Sequence, residues 1–216
     1  MVLNPGLSKT FGDDSYFGYS VSSGKFTLTN TYLYVSGAPR AGNLKGKVYI
    51  YDFPAENDKG LIIKKEIDGS QIGEYFGYCL CVVDLNADGL DDLVVGAPLH
   101  SLKSTDGDQG KIYIFLNKKN FTFDQFEDES ITTGSQAGGR FGSSLSHLGD
   151  LNNDGFSDIA VGAPYEDSGV GAVYIFHGGT KPKFVQKIHA QKVHHTLRGF
   201  GFSISKGSDI DGNNYI

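Results

Sequence analysis

Two nine-residue acidic loops carry the most chemistry in this sequence: Asp84-Leu-Asn-Ala-Asp-Gly-Leu-Asp-Asp92 and Asp150-Leu-Asn-Asn-Asp-Gly-Phe-Ser-Asp158. Oxygen-bearing side chains occupy loop positions 1, 3, 5 and 9. They are Asp84, Asn86, Asp88 and Asp92 in the first loop, and Asp150, Asn152, Asp154 and Asp158 in the second. A hard cation such as Ca2+ takes about six to eight oxygen ligands at about 2.3–2.6 Å, and short Asp and Asn side chains supply them from a tightly curled backbone. Gly89 and Gly155, at position 6, permit a backbone reversal that a residue with a Cβ would resist. Position 7, Leu90 or Phe156, offers its carbonyl and leaves its apolar side chain free to pack inward. Three carboxylates at the ligand positions repel one another, so each loop is strained until a cation fills it.

The first half of the pattern matches an EF-hand loop, but the match stops there. Position 12 is Val95 or Val161 where a bidentate Glu is required. Ligation must therefore close on Asp92 and Asp158. A third stretch, Asp209-Ile-Asp-Gly-Asn-Asn-Tyr-Ile216, carries Asp209, Asp211, Asn213 and the Tyr215 carbonyl in the same register, and its position 9 falls one residue beyond Ile216. The expectation is thus two complete Ca2+ sites and one truncated site. Solvated hairpin turns are the alternative reading of acidic loops. Repetition of one spacing at one structural place argues against it.

Other chemistry finds no support. His147, His177, His189, His194 and His195 are scattered, and there is no Gly-x-Ser-x-Gly elbow or His-Glu-x-x-His helix. Gly138-Gly139 does not open a helix, so no phosphate cradle is expected. Cys79 and Cys81, the only cysteines, share one face of a strand and are poorly placed to bridge each other; they read as small buried hydrophobes, with a metal or redox role as the alternative. The formal charge of −6 comes with no basic run interleaved with aromatics, so nucleic acid is not an expected partner. No apolar stretch has the length of a membrane span, and Met1-Val-Leu-Asn-Pro-Gly lacks the pattern of a secretory signal. Asn120-Phe-Thr122 is an N-glycosylation acceptor pattern, which suits an extracellular protein.

The elements that must hold the acidic loops are strands. Thirty glycines, about twice the usual share of about 7%, accompany Tyr, Phe, Val and Ile in a strand-and-turn composition. Phe-Gly recurs at Phe17-Gly18, Phe76-Gly77, Phe141-Gly142 and Phe200-Gly201. Gly-Ala-Pro follows at Gly37–Pro39, Gly96–Pro98 and Gly162–Pro164, then a glycine-opened strand begins at Gly46, Gly110 and Gly171. The units run roughly 17–75, 76–140, 141–199 and 200–216 within one partial domain, 1–216. The strand before Gly-Ala-Pro is nearly all apolar, as expected when both faces are covered. The glycine-opened strand alternates, which predicts a place nearer the outside. About 60 residues in four short strands is the size of a β-propeller blade, so the fold class is all-β. The first unit has no acidic residue in its equivalent stretch, Ser23 to Thr31. The blade itself therefore does not demand the acidic residues.

Phe-Gly, an Asp-rich loop and Gly-Ala-Pro at this period resemble the FG-GAP repeats of the integrin α-subunit head. Asp13-Asp-Ser-Tyr-Phe-Gly-Tyr-Ser-Val21 resembles the start of the fourth blade of that family, and Ser208–Tyr215 its last metal loop. The resemblance implies four blades, numbers four to seven, of a seven-bladed parent. It assigns Ca2+ to Asp84, Asn86, Asp88, Leu90 carbonyl and Asp92; to Asp150, Asn152, Asp154, Phe156 carbonyl and Asp158; and in part to Asp209, Asp211, Asn213 and Tyr215 carbonyl. It further implies structural metals on the lower rim, no catalysis, an integrin β subunit as partner and an extracellular-matrix ligand. The metal-free first unit and Ser36–Ala41 look most like the laminin-binding subgroup. The location implied is the outer side of the plasma membrane, with any membrane contact made by other parts of the parent protein. Rival readings are a propeller accessory to an extracellular phospholipase-type enzyme, or a sugar-binding propeller.

Overall fold

The computed structural model describes residues 11–12, 14–29, 31–53, 61–103 and 107–208. Their strands form three antiparallel sheets of four consecutive strands each. The first holds β1 (Ser20–Gly24), β2 (Leu33–Ala38), β3 (Lys47–Asp52) and β4 (Ile62–Asp68). The second holds β5 (Cys79–Val83), β6 (Asp92–Ala97), β7 (Lys111–Asn117) and β8 (Phe123–Gln125). The third holds β9 (Ser144–Gly149), β10 (Asp158–Ala163), β11 (Ala172–His177) and β12 (Lys183–His189). The leading strands β1, β5 and β9 adjoin one another, so the sheets stand face to face as propeller-like blades. The fourth unit contributes Phe200, which bridges to Gly171 of the third.

The cores lie between the sheets. From β6, Leu93, Val95 and Ala97 pack toward the first sheet with Val35, Val48 and Ile50, while Val94 points to the third. The next strand corrects an expectation. The alternation of β7 suggested an outer position, yet every residue from Lys111 to Asn117 is buried. Tyr113 and Phe115 meet the preceding blade, and Ile112, Ile114 and Leu116 meet the following one. Alternation here separates two apolar neighbours rather than core from water. The fourth strands β4, β8 and β12 reach solvent, every residue of each being exposed or half-buried, and β1 reaches it in part.

Phe-Gly and Gly-Ala-Pro hold the blades together. The Phe-Gly amide donates to the Gly-Ala-Pro glycine carbonyl of its own blade: Gly18 to Gly37 at 3.0 Å, Gly77 to Gly96 at 3.2 Å and Gly142 to Gly162 at 3.0 Å. The Phe-Gly carbonyl then faces the Gly-Ala-Pro glycine of the preceding blade, pairing Gly77 with Gly37, Gly142 with Gly96 and Gly201 with Gly162. A Cβ on any of those three partners would collide with it. Close backbone contact between blades thus requires glycine. The same carbonyls accept hydrogen bonds from Ser20 Oγ at 2.7 Å, Cys79 Sγ at 3.0 Å and Ser144 Oγ at 2.7 Å. Cys79 is therefore a hydrogen-bond donor standing where the other blades use serine. The phenylalanines lie edge-on to the tyrosine of the third strand, Phe76 on Tyr113 at 5.0 Å and Phe141 on Tyr174 at 4.9 Å. Burying each such ring stabilises by about 1.5–3 kcal/mol.

Successive turns of a four-stranded meander alternate between its ends. The β5–β6 and β7–β8 turns therefore share one end, and Gly-Ala-Pro and Phe-Gly mark the other. Two buried acids reinforce the Phe-Gly end. Glu74 accepts from Ser70 N, Gln71 N and Tyr113 Oη, with His100 Nδ1 at 2.7 Å. Glu166 accepts from Tyr174 Oη at 2.7 Å and has Lys187 Nζ at 2.6 Å. The acid reaches the third-strand tyrosine from beside Phe-Gly in one blade and from beyond Gly-Ala-Pro in the other. Gly139, which stands where the second blade has Glu74, is packed against Glu166 Cγ.

Candidate metal centre

The two acidic loops join β5 to β6 and β9 to β10, and they fold alike. In the first, Asp84 Oδ1 accepts from Asp88 N at 3.2 Å and Oδ2 from Gly89 N at 2.9 Å. Asn86 Oδ1 accepts from Asp88 N at 3.0 Å, and Asp88 Oδ1 from Leu90 N at 3.0 Å. The second loop repeats each bond: Asp150 accepts from Asp154 N and Gly155 N, Asn152 from Asp154 N, and Asp154 from Phe156 N. Side chains at positions 1, 3 and 5 thus curl over one stretch of backbone. Gly89 and Gly155 have φ of 87° and 89°, and a Cβ on either would meet open space. Backbone conformation, not room, selects glycine there. Ala87 and Asn153, at position 4, also have φ near +60°, at 57° and 60°. Such residues cost on the order of 1 kcal/mol each.

Position 9 is built differently. Asp92 and Asp158 open β6 and β10 and are completely buried. Asp92 Oδ2 accepts from Leu85 N at 2.9 Å and Oδ1 from Asn117 N at 2.7 Å. Asp158 Oδ2 accepts from Leu151 N at 2.8 Å and Oδ1 from Gly178 N at 3.0 Å. Burial pushes the Asp92 carboxyl up to about 7; its two amide donors oppose the shift, and the Asp84 and Asp88 charges add to it. The exposed Asp154 is held below the usual carboxylate range, first by Asn152 and then by the Phe156 amide. Leu90 is buried and Phe156 half-buried, leaving each position-7 carbonyl on the loop backbone.

Among the described residues, no three acidic, histidine or cysteine side chains gather into a ready-made metal cluster. What the loops offer is a mixed oxygen set of carboxylates, one carboxamide and one carbonyl, which suits a hard cation rather than a soft one. Asp209, Asp211, Asn213 and Tyr215 lie outside the described residues.

Several supporting residues leave only a faint trace in the sequence. Asn117 and Gly178 each stand seven residues after a strand-opening glycine, Gly110 or Gly171, and that shared offset was the available signal. Asn117 Nδ2 also donates to Phe26 O at 2.9 Å in the first blade. Gly179 N donates to Leu85 O at 2.6 Å, joining the third blade to the first acidic loop. Asp91 Oδ2 accepts from Lys25 N at 2.6 Å. The first blade's loop, which has no acidic residue, also begins later than its sequence suggests. Gly24 pairs with Leu33 as Val83 pairs with Asp92, so the equivalent stretch runs from Lys25 to Leu33 rather than from Ser23 to Thr31. Buried Leu33 then stands at position 9 and fully buried Phe26 at position 2.

The FG-GAP repeat family matches residues 76–115 and 141–176. Integrin alpha-4 of Xenopus laevis is 40% identical over 93% of this chain and 19% of its own length. Integrin alpha-PS3 of Drosophila melanogaster is 42% identical over 94% of the chain and 18% of its own. Human integrin alpha-8 is 41% identical over 94% and 19%. The chain spans about one fifth of the length of these relatives. Its repeats, its blade-like sheets and a similarity that covers nearly all of this chain agree: the chain carries FG-GAP repeats and is similar to part of an integrin α chain.

Proposed function

We propose that this chain is a non-catalytic, Ca2+-binding part of the extracellular head of an integrin α-like adhesion receptor. Asp84, Asn86, Asp88, the Leu90 carbonyl and Asp92 would hold one ion. Asp150, Asn152, Asp154, the Phe156 carbonyl and Asp158 would hold a second, and Asp209, Asp211, Asn213 and the Tyr215 carbonyl part of a third. A bound cation supplies positive charge among carboxylates that otherwise repel. Placement supports a structural role, because each loop joins the first two strands of a blade and ends on an aspartate bonded at the end of the third strand, Asp92 to Asn117 N and Asp158 to Gly178 N just beyond β11. The parent would be a seven-bladed ring, with a β subunit as partner and a matrix protein, laminin in the narrowest form, as ligand. The same hydrogen bonds in both loops, on consecutive blades, are the observation that carries this reading.

Calorimetric titration of Ca2+ into a protein that completes the ring tests it. Asp88→Ala and Asp154→Ala are each expected to remove one binding event. Unchanged stoichiometry in both variants would sink the assignment.

A further inference from the structure

We propose that Asn120 is an N-glycosylation site, so that an oligosaccharide stands at the outer corner of the second blade on the acidic-loop end. Asn120-Phe-Thr122 is the only such tripeptide in the chain, and it occupies the turn between β7 and β8. Phe121 N donates to Lys118 O and Lys118 N to Thr122 O, both at 2.8 Å, closing the turn. Phe121 takes a left-handed φ of 60°. Its half-buried ring packs 6.4 Å from Phe26 and 5.8 Å from Phe123. Anchoring Phe121 inward leaves Asn120 and Thr122 exposed on either side of it. Thr122 Oγ1 donates to Asn120 Oδ1 at 2.6 Å, and the amide nitrogen of the exposed Asn120 has no protein acceptor among the described residues. A sugar there is accommodated without disturbing the blade.

The inference rests on the extracellular placement proposed above. The reaction needs a polyprenyl-diphosphate-linked oligosaccharide and a membrane-bound oligosaccharyl transferase, which acts as the chain enters the secretory path. Asn120 Nδ2 forms a bond to the anomeric carbon of the first sugar as that carbon's bond to the diphosphate oxygen breaks. Polyprenyl diphosphate leaves and the Nδ2 proton passes to a base; nothing is oxidised or reduced.

The full-length protein from its source cells should be treated with peptide-N-glycosidase F in heavy-oxygen water and its peptides analysed by mass. The expected result is labelled aspartate at position 120. Asn120→Gln and Thr122→Ala should each remove one glycan's worth of gel mobility, whereas Thr122→Ser should retain it, and an exposed turn should let all three reach the cell surface. Unmodified Asn120 in a protein glycosylated elsewhere would overturn the proposal and leave the extracellular reading standing. Absence of any glycan, with no labelling of intact cells by a membrane-impermeant reagent, would overturn both.

Discussion

At the scale of single residues, two glycine substitutions separate two physical causes. Gly89→Ala adds a methyl group in open space at a φ of 87°, and is expected to cost about 1 kcal/mol. Gly96→Ala drives a methyl into the Gly142 carbonyl of the next blade, and is expected to cost about 3 kcal/mol or more, at the top of the range for overpacked cores because the obstacle is backbone. Urea denaturation of both variants checks the order. Cys79 gives a second contrast. Cys79 as a residue is half-buried, but its thiol donates to that same carbonyl, and the desolvation there raises its pKa. Cys79→Ser should be close to neutral, as Ser20 and Ser144 do the same work, while Cys79→Ala should lose up to about 1 kcal/mol. The thiol should resist alkylation until the protein unfolds.

At the scale of elements, the buried Glu74 ties the β4–β5 connection to β7. Burial alone would raise its pKa, but His100, Tyr113 and the Gln71 and Ser70 amides outweigh that and hold it below the usual 4.5. A depressed carboxylate contributes stability above its unfolded value and loses it as pH falls through its folded value. Thermal melting should therefore show an acid-side loss beginning near pH 4.5 that is smaller in Glu74→Gln, together with a lower melting temperature for that variant at pH 7. Identical pH slopes would contradict the assignment. The strand order and blade size were legible in the sequence because Phe-Gly, Gly-Ala-Pro and the strand-opening glycine are backbone requirements that leave a residue-type signature. The burial of β7 was not, since Tyr113 and Phe115 look the same whether a face meets water or another sheet. Likewise the acidic loops were visible in side-chain spacing, but their attachment through Asn117 and Gly178 runs through backbone amides, which every residue but proline carries.

At the scale of the whole molecule, the terminal sheets keep apolar faces without a neighbour among the described residues. Val21 is 69% exposed and Tyr34 46%, on the face of the first sheet opposite Val35 and Ile50. Phe202 beyond the third sheet is 63% exposed. The 216-residue chain alone is expected to self-associate, as sedimentation velocity would show, and a monodisperse monomer at tens of micromolar would contradict the need for further blades.

The backbone contact between Gly179 and Leu85 has a consequence at this largest scale. Leu85 N holds Asp92 of one acidic loop, Leu85 O accepts from Gly179 N, and the adjoining Gly178 N holds Asp158 of the next. Occupancy of one loop that fixes Leu85 also fixes the segment that positions the other loop's last aspartate. The two ions proposed above should then bind with positive cooperativity, and reciprocity requires the same coupling in each direction. Disabling either loop by Asp88→Ala or Asp154→Ala should weaken the remaining site severalfold rather than leave its affinity untouched.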